Sequence, residues 1–120
     1  WMWSMDNDKY IYTYEIVKSI LRNWNNTKIQ HEKVEIRTTT KKWLIPINII
    51  RVDVERGLDW LRSVYCKDGN RHYCIVTDRY CEEMRKIEIQ RKYVITPFEY
   101  YQIEKTAIGV ITEFLNGEWT

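Results

Sequence analysis

His72-Tyr73-Cys74-Ile75-Val76-Thr77-Asp78-Arg79-Tyr80, followed by Lys86-Ile87-Glu88-Ile89-Gln90, is the stretch whose reading decides the fold. Residues 72–77 are rich in β-branched and aromatic side chains, which predicts a strand. Over 85–95, Ile87, Ile89, Tyr93 and Ile95 recur on a period close to two, which predicts a second strand. Alternation then sets Glu88 on the face opposite Ile87 and Ile89. Asp78 closes the first strand, and the two carboxylates become neighbours if the strands pair. Downstream, Tyr100-Tyr101-Gln102-Ile103-Glu104-Lys105 lies in a helix that must pack back across the sheet and can bring Lys105 towards both acids.

That helix has the firmest boundary in the chain. Thr96-Pro97-Phe98-Glu99 combines an N-cap threonine, a proline at the first helical position and a capping-box glutamate. Phe98, Tyr101, Ile108, Ile111 and Leu115 are its expected buried face, and Gly117 its stop. At the other end, Tyr10, Tyr14, Val17, Ile20, Leu21 and Trp24 predict a helix over 8–25, capped by Asp6 or Asn7 and ended by Asn25-Asn26-Thr27. Val34, Ile36, Thr38 and Thr40 alternate, so 32–40 reads as a strand, and 45–54 as a second β-rich run with Pro46 near its start. Leu58, Leu61, Val64 and Tyr65 fit a short helix over 55–65, weakened at Gly57 by about 1 kcal/mol. A competing reading pairs 60–67 with 71–78 through Lys67-Asp68-Gly69-Asn70. The expected order is α-β-β-α-β-β-α: an α+β (mixed α/β) domain with a central mixed sheet flanked by helices.

Composition narrows the function classes. The chain has 120 residues, 44% hydrophobic and 30% charged, enough for one core in a single domain over 1–120. No apolar run approaches the roughly 20 residues of a membrane helix, so no membrane partner is expected. Trp1-Met2-Trp3-Ser4 lacks the basic and apolar regions of a signal peptide, and its Trp start suggests a piece of a longer chain. With 19 basic and 17 acidic residues the net charge of +2 does not announce nucleic-acid binding in bulk, though it permits a local basic groove. Cys66, Cys74 and Cys81 lack CxxC spacing and read as free thiols of an intracellular, unsecreted protein. Lys41-Lys42-Trp43 reads either as a phosphate-and-stacking patch or as an edge-strand guard.

Asp78, Glu88 and Lys105 carry the most concrete chemistry. Phosphodiester hydrolysis needs an activated water and a place for charge on the leaving oxygen, and hard divalent cations bound by carboxylates meet both needs. An ammonium alongside stabilises the developing charge. Thr77-Asp78-Arg79-Tyr80, Ile87-Glu88-Ile89, Tyr100-Tyr101 and Glu104-Lys105, with Asp53-Val54-Glu55-Arg56-Gly57-Leu58-Asp59-Trp60 upstream, resemble the PD-(D/E)xK nuclease superfamily. The closer resemblance is to the cap-snatching endonuclease domain of influenza-type polymerase acidic subunits, over roughly residues 52–116.

The resemblance implies that Asp78 and Glu88 are the central metal ligands, with the Ile89 carbonyl as a further ligand. It implies Glu55, or else Asp53, at a second metal and Lys105 as the catalytic lysine. It implies one or two Mn2+ or Mg2+ ions, single-stranded RNA (capped mRNA) as substrate and other viral polymerase subunits as partners, in the host nucleus or cytoplasm. Thr77 stands where the family has proline, and Gln90 where the wider superfamily has lysine. Helix 8–25 contains no histidine, so His31, or Glu15 in its place, is the candidate for that ligand. Two alternatives stand beside this. One is a catalytically inactive nuclease-fold domain acting as a structural or protein-binding module. The other is an unrelated small viral α+β interaction protein using its aromatic surface.

Overall fold

A computed structural model describes residues 10–64 and 70–117. Among them the chain is mixed α and β: five helices and one two-stranded antiparallel sheet. Helix α1 (Tyr14–Arg22) is capped by the Thr13 hydroxyl, which accepts from the Ile16 amide at 3.2 Å. The expected caps Asp6 and Asn7 lie outside the described residues. Strands β1 (Lys33–Arg37) and β2 (Lys42–Pro46) pair with Ile36 opposite Trp43 and Val34 opposite Ile45, as the alternation from Val34 predicts.

Beyond Pro46 the expected β-rich run is instead the start of α2 (Ile47–Ser63). Its first amides are satisfied from outside the helix: Ile47 donates to the Glu32 carbonyl at 2.8 Å and Asn48 to Gln30 at 3.0 Å. The buried residues Ile47, Ile50, Val54, Leu58 and Leu61 recur every three or four positions, so a core-facing stripe overrides the β-propensity of the isoleucines and valines. Gly57 sits where α2 crosses the last helix; a Cβ there would come within 2.6 Å of Ile111 Cγ2. Its cost in helix propensity is the condition for that close approach.

Both strands expected over 72–77 and 85–95 are helices. Helix α3 (Arg71–Tyr80) buries His72, Ile75, Val76 and Tyr80, a 3.6-residue stripe. Helix α4 (Lys86–Tyr93) buries only Ile89 and ends in Val94, a β-branched residue at φ 54° in the left-handed region. The central mixed sheet is therefore absent among the described residues, and the order is α-β-β-α-α-α-α. With 71–80 helical, the alternative hairpin does not form either; residues 67–69 of its turn Lys67-Asp68-Gly69-Asn70 lie outside the described residues.

Helix α5 (Pro97–Leu115) matches its sequence signals. Thr96 Oγ1 accepts from the Glu99 amide and Glu99 Oε1 from the Thr96 amide, both at 3.0 Å, and Gly117 follows at φ 81°. It touches every other helix. Its C-terminal half sends Ala107, Ile108 and Ile111, all fully buried, into the main core with Val17, Leu21, Ile36, Ile50 and Leu61. Trp60 of α2 stacks on Phe114 at 5.1 Å. Its N-terminal half joins a small second core of Ile75, Ile89, Ile95 and Tyr100. Phe98 and Tyr101, expected inside, are exposed. Asn116 clasps the segment before α1, accepting from the Tyr12 amide at 2.8 Å and donating to the Tyr12 carbonyl at 2.9 Å. No helix among the described residues is long and apolar enough to cross a membrane.

Candidate functional site

The acids expected to share a metal sit on three separate helices, each with partners of its own. Asp78, on α3, is largely buried; its Oδ2 accepts from Lys92 Nζ at 2.9 Å and from the Tyr93 hydroxyl at 2.5 Å, both at the end of α4. Burial first, and the Asp78 hydrogen bond second, push the Tyr93 phenol up to about 12. Glu88 is in the first turn of α4, where its Oε1 accepts from the Arg85 amide at 3.0 Å and Arg85 Nε at 3.2 Å. Those two bonds hold the exposed Glu88 carboxyl below its ordinary value. Glu55, exposed on α2, pairs with Arg51 at 3.8 Å. Asp53 accepts from the Tyr12 hydroxyl and lies 3.6 Å from Arg56.

Ile89 is fully buried in α4, while His31 and Glu15 are exposed, His31 after a short 3₁₀ turn (Thr27–Ile29). Among the described residues no group of three or more His, Cys, Asp and Glu side chains is placed to hold a metal ion. Asp78, Glu88 and Glu55 do not fit a shared ion as they stand. Each is a tie or a cap.

The structure gathers a different set around Lys105. A cleft of about 290 Å³ opens between α1, α4 and the first half of α5. Helix α1 supplies Tyr14 and Lys18 from one face, and α4 supplies Lys86 and Gln90. Helix α5 supplies Pro97, Tyr100, Tyr101, Glu104 and Lys105. That is the single-face pattern i, i+3, i+4, i+7, i+8. Three ammonium groups rest over three rings: Lys18 over Tyr14, Lys86 over Tyr100 and Lys105 over Tyr101, each 5.9 Å from the ring centre. Such contacts prop the lysines at the rim and contribute about 0.5–1 kcal/mol each when exposed.

Behind the cleft, towards α3, lies a buried polar cluster. Glu104 is 6% exposed and accepts from the Tyr80 hydroxyl of α3. Tyr100 is 3% exposed, and its sealed hydroxyl lies within reach of Glu104 and Arg79. Arg79 Nη1 donates to the Met84 carbonyl at 3.2 Å. Burial, then the neighbouring Glu104, raise the Tyr80 and Tyr100 phenols well above their ordinary range.

Sequence reasoning singled out Lys105 but set Tyr101 on the buried face and gave Glu104 no role of its own. The signal was present: Pro97, Tyr100, Tyr101, Glu104 and Lys105 share one face of the expected helix. Elsewhere, Lys41 Nζ lies 5.5 Å over the half-exposed Trp43 at the hairpin edge. Cys74 and Cys81 are free thiols, while Cys66, Trp1, Trp3 and Trp119 lie outside the described residues. No protein-family model, curated protein or solved structure matches this chain.

Proposed function

We propose that this chain is a small α+β binding domain rather than a hydrolase. What carries the reading is the state of its acids: Asp78 is held by Lys92 and Tyr93, Glu88 by Arg85 and Glu55 by Arg51, on three different helices. A hydrolytic metal centre needs carboxylates that converge on one point and keep oxygen lone pairs free for the ion. Here the same lone pairs tie α3 to α4 and close the first turn of α4. The groups left open are the lysines and the exposed Tyr101 of the α1–α4–α5 cleft.

Manganese titration tests this. A site of micromolar affinity in millimolar manganese would stabilise the fold by about 4 kcal/mol, an unmistakable rise in Tm. The expected result is the same Tm in manganese and in EDTA, with Asp78→Ala lowering both equally. Micromolar manganese binding that disappears in Asp78→Ala, together with cleavage of single-stranded RNA, would overturn the reading. It would restore a metal-dependent RNA endonuclease built on Asp78, Glu88 and Lys105.

A further inference from the structure

The geometry points to a nucleotide site in the α1–α4–α5 cleft: phosphate among Lys18, Lys86 and Lys105, and base against Tyr101 with its polar edge towards Glu104 and Gln90. This assignment rests on the binding-domain reading and names its ligand class. Two observations made independently support it. The first is the rim, where three ammonium groups surround one opening and present point charges to an anion. The second is the polar lining further in, where Gln90 of α4 and the 6% exposed Glu104 of α5 border the same opening.

The order of groups from rim to wall selects the ligand. Cations lie outside and a carboxyl lies inside, so an anion sits at the mouth and a hydrogen-bond donor further in. A nucleotide has that polarity: a phosphate at one end and, on adenine or cytosine, an exocyclic amine at the other. The tyrosine rings add a stacking surface, and Tyr101 is 57% exposed with Lys105 above it. Basic side chains interleaved with exposed aromatics are how proteins hold single-stranded nucleic acid, at about 1–3 kcal/mol per stacked base. A phosphorylated peptide calls for a fork of arginines, and among the described residues no arginine lines this cleft. The volume of about 290 Å³ suits one nucleotide unit. That unit can come from a free mononucleotide or from a single strand.

The test is fluorescence anisotropy of a labelled oligoadenylate with the whole chain at low salt, with AMP as competitor. Saturable binding is expected, with a log–log salt slope of about −0.7 for one phosphate held on a single strand. Lys105→Ala is expected to weaken binding and to flatten that slope. Tyr101→Ala is the decisive variant. It truncates an exposed ring, so Tm holds while affinity falls roughly tenfold.

AMP displacing the strand at similar affinity identifies the free nucleotide as the source. Displacement by an unlabelled strand alone identifies the strand. Either outcome supports the site. Absence of saturable binding, binding indifferent to both Tyr101→Ala and Lys105→Ala, or capture of a phosphotyrosine peptide in place of oligoadenylate overturns it. None of these readings involves manganese, so the site and the binding-domain reading fail separately.

Discussion

The two halves of α5 do different work. From Ala107 to Leu115 the helix is set into the main core, with Ala107, Ile108 and Ile111 fully buried and α2 close enough to require Gly57. From Pro97 to Lys105 it rests on the small core of Ile75, Ile89, Ile95 and Tyr100, and Phe98, Tyr101 and Lys105 face solvent. Beside the C-terminal half the neighbouring helices close over apolar side chains. Beside the N-terminal half, Lys18 of α1, Lys86 of α4 and Lys105 of α5 rest over tyrosine rings around an open cleft. The difference separates what holds the molecule together from what is free to meet something else.

The sharpest way to break that division is to truncate one residue from each half. Ile111→Ala removes a fully buried side chain and should cost about 2–5 kcal/mol in urea unfolding. Tyr101→Ala should stay within about 0.5 kcal/mol, as surface substitutions do. Equal losses would mean that the two halves share one cooperative core.

The glycines give a smaller contrast of opposite sign. Gly57→Ala gains helix propensity but drives a methyl group into Ile111, for a net loss of about 1–2 kcal/mol. Gly109→Ala meets nothing within 4 Å and should gain about 0.5–1 kcal/mol. Thermal unfolding of the pair checks both signs.

Acid gives the smallest effect, on the cleft side. Glu99 is held below its ordinary value of 4.5 by the Thr96 amide and then the Thr96 hydroxyl, and Glu88 by the Arg85 amide and side chain. A depressed carboxyl contributes stability that is complete above its unfolded value and disappears as the pH falls through its folded value. Tm should therefore decline below about pH 4.5. Glu99→Gln, which keeps the capping bond without the titration, should have a shallower acid limb.

The same division governs what could be read from the residues alone. The capping box at Thr96 and Glu99, the stop at Gly117 and the alternation through Val34 and Ile36 were legible because each is a local device with its own geometry. Helices α3 and α4 were not. Ile75-Val76-Thr77 and Ile87-Glu88-Ile89 carry β-branched side chains, and Ile89 owes its place to a small core assembled from three helices. His72, Ile75, Val76 and Tyr80 did keep a helical period, which strand propensity outweighed in the reading. The residues expected to form the metal site are all real features of the chain, but three of its acids are spent on ties between and within helices. The cleft was hidden for the opposite reason: its members come from α1, α4 and α5, and only packing brings them together.

The amide clasp between Tyr12 and Asn116 has a topological consequence. Two hydrogen bonds, one in each direction, pin the polypeptide just before its first helix to the residue just after its last. Residues 104 positions apart in the chain are thus neighbours in space. A short covalent splice across that junction would close the described fold into a ring without bending it. Opening the ring at the Thr38–Lys41 hairpin turn would then give a circular permutant with the same helices in a new order of synthesis.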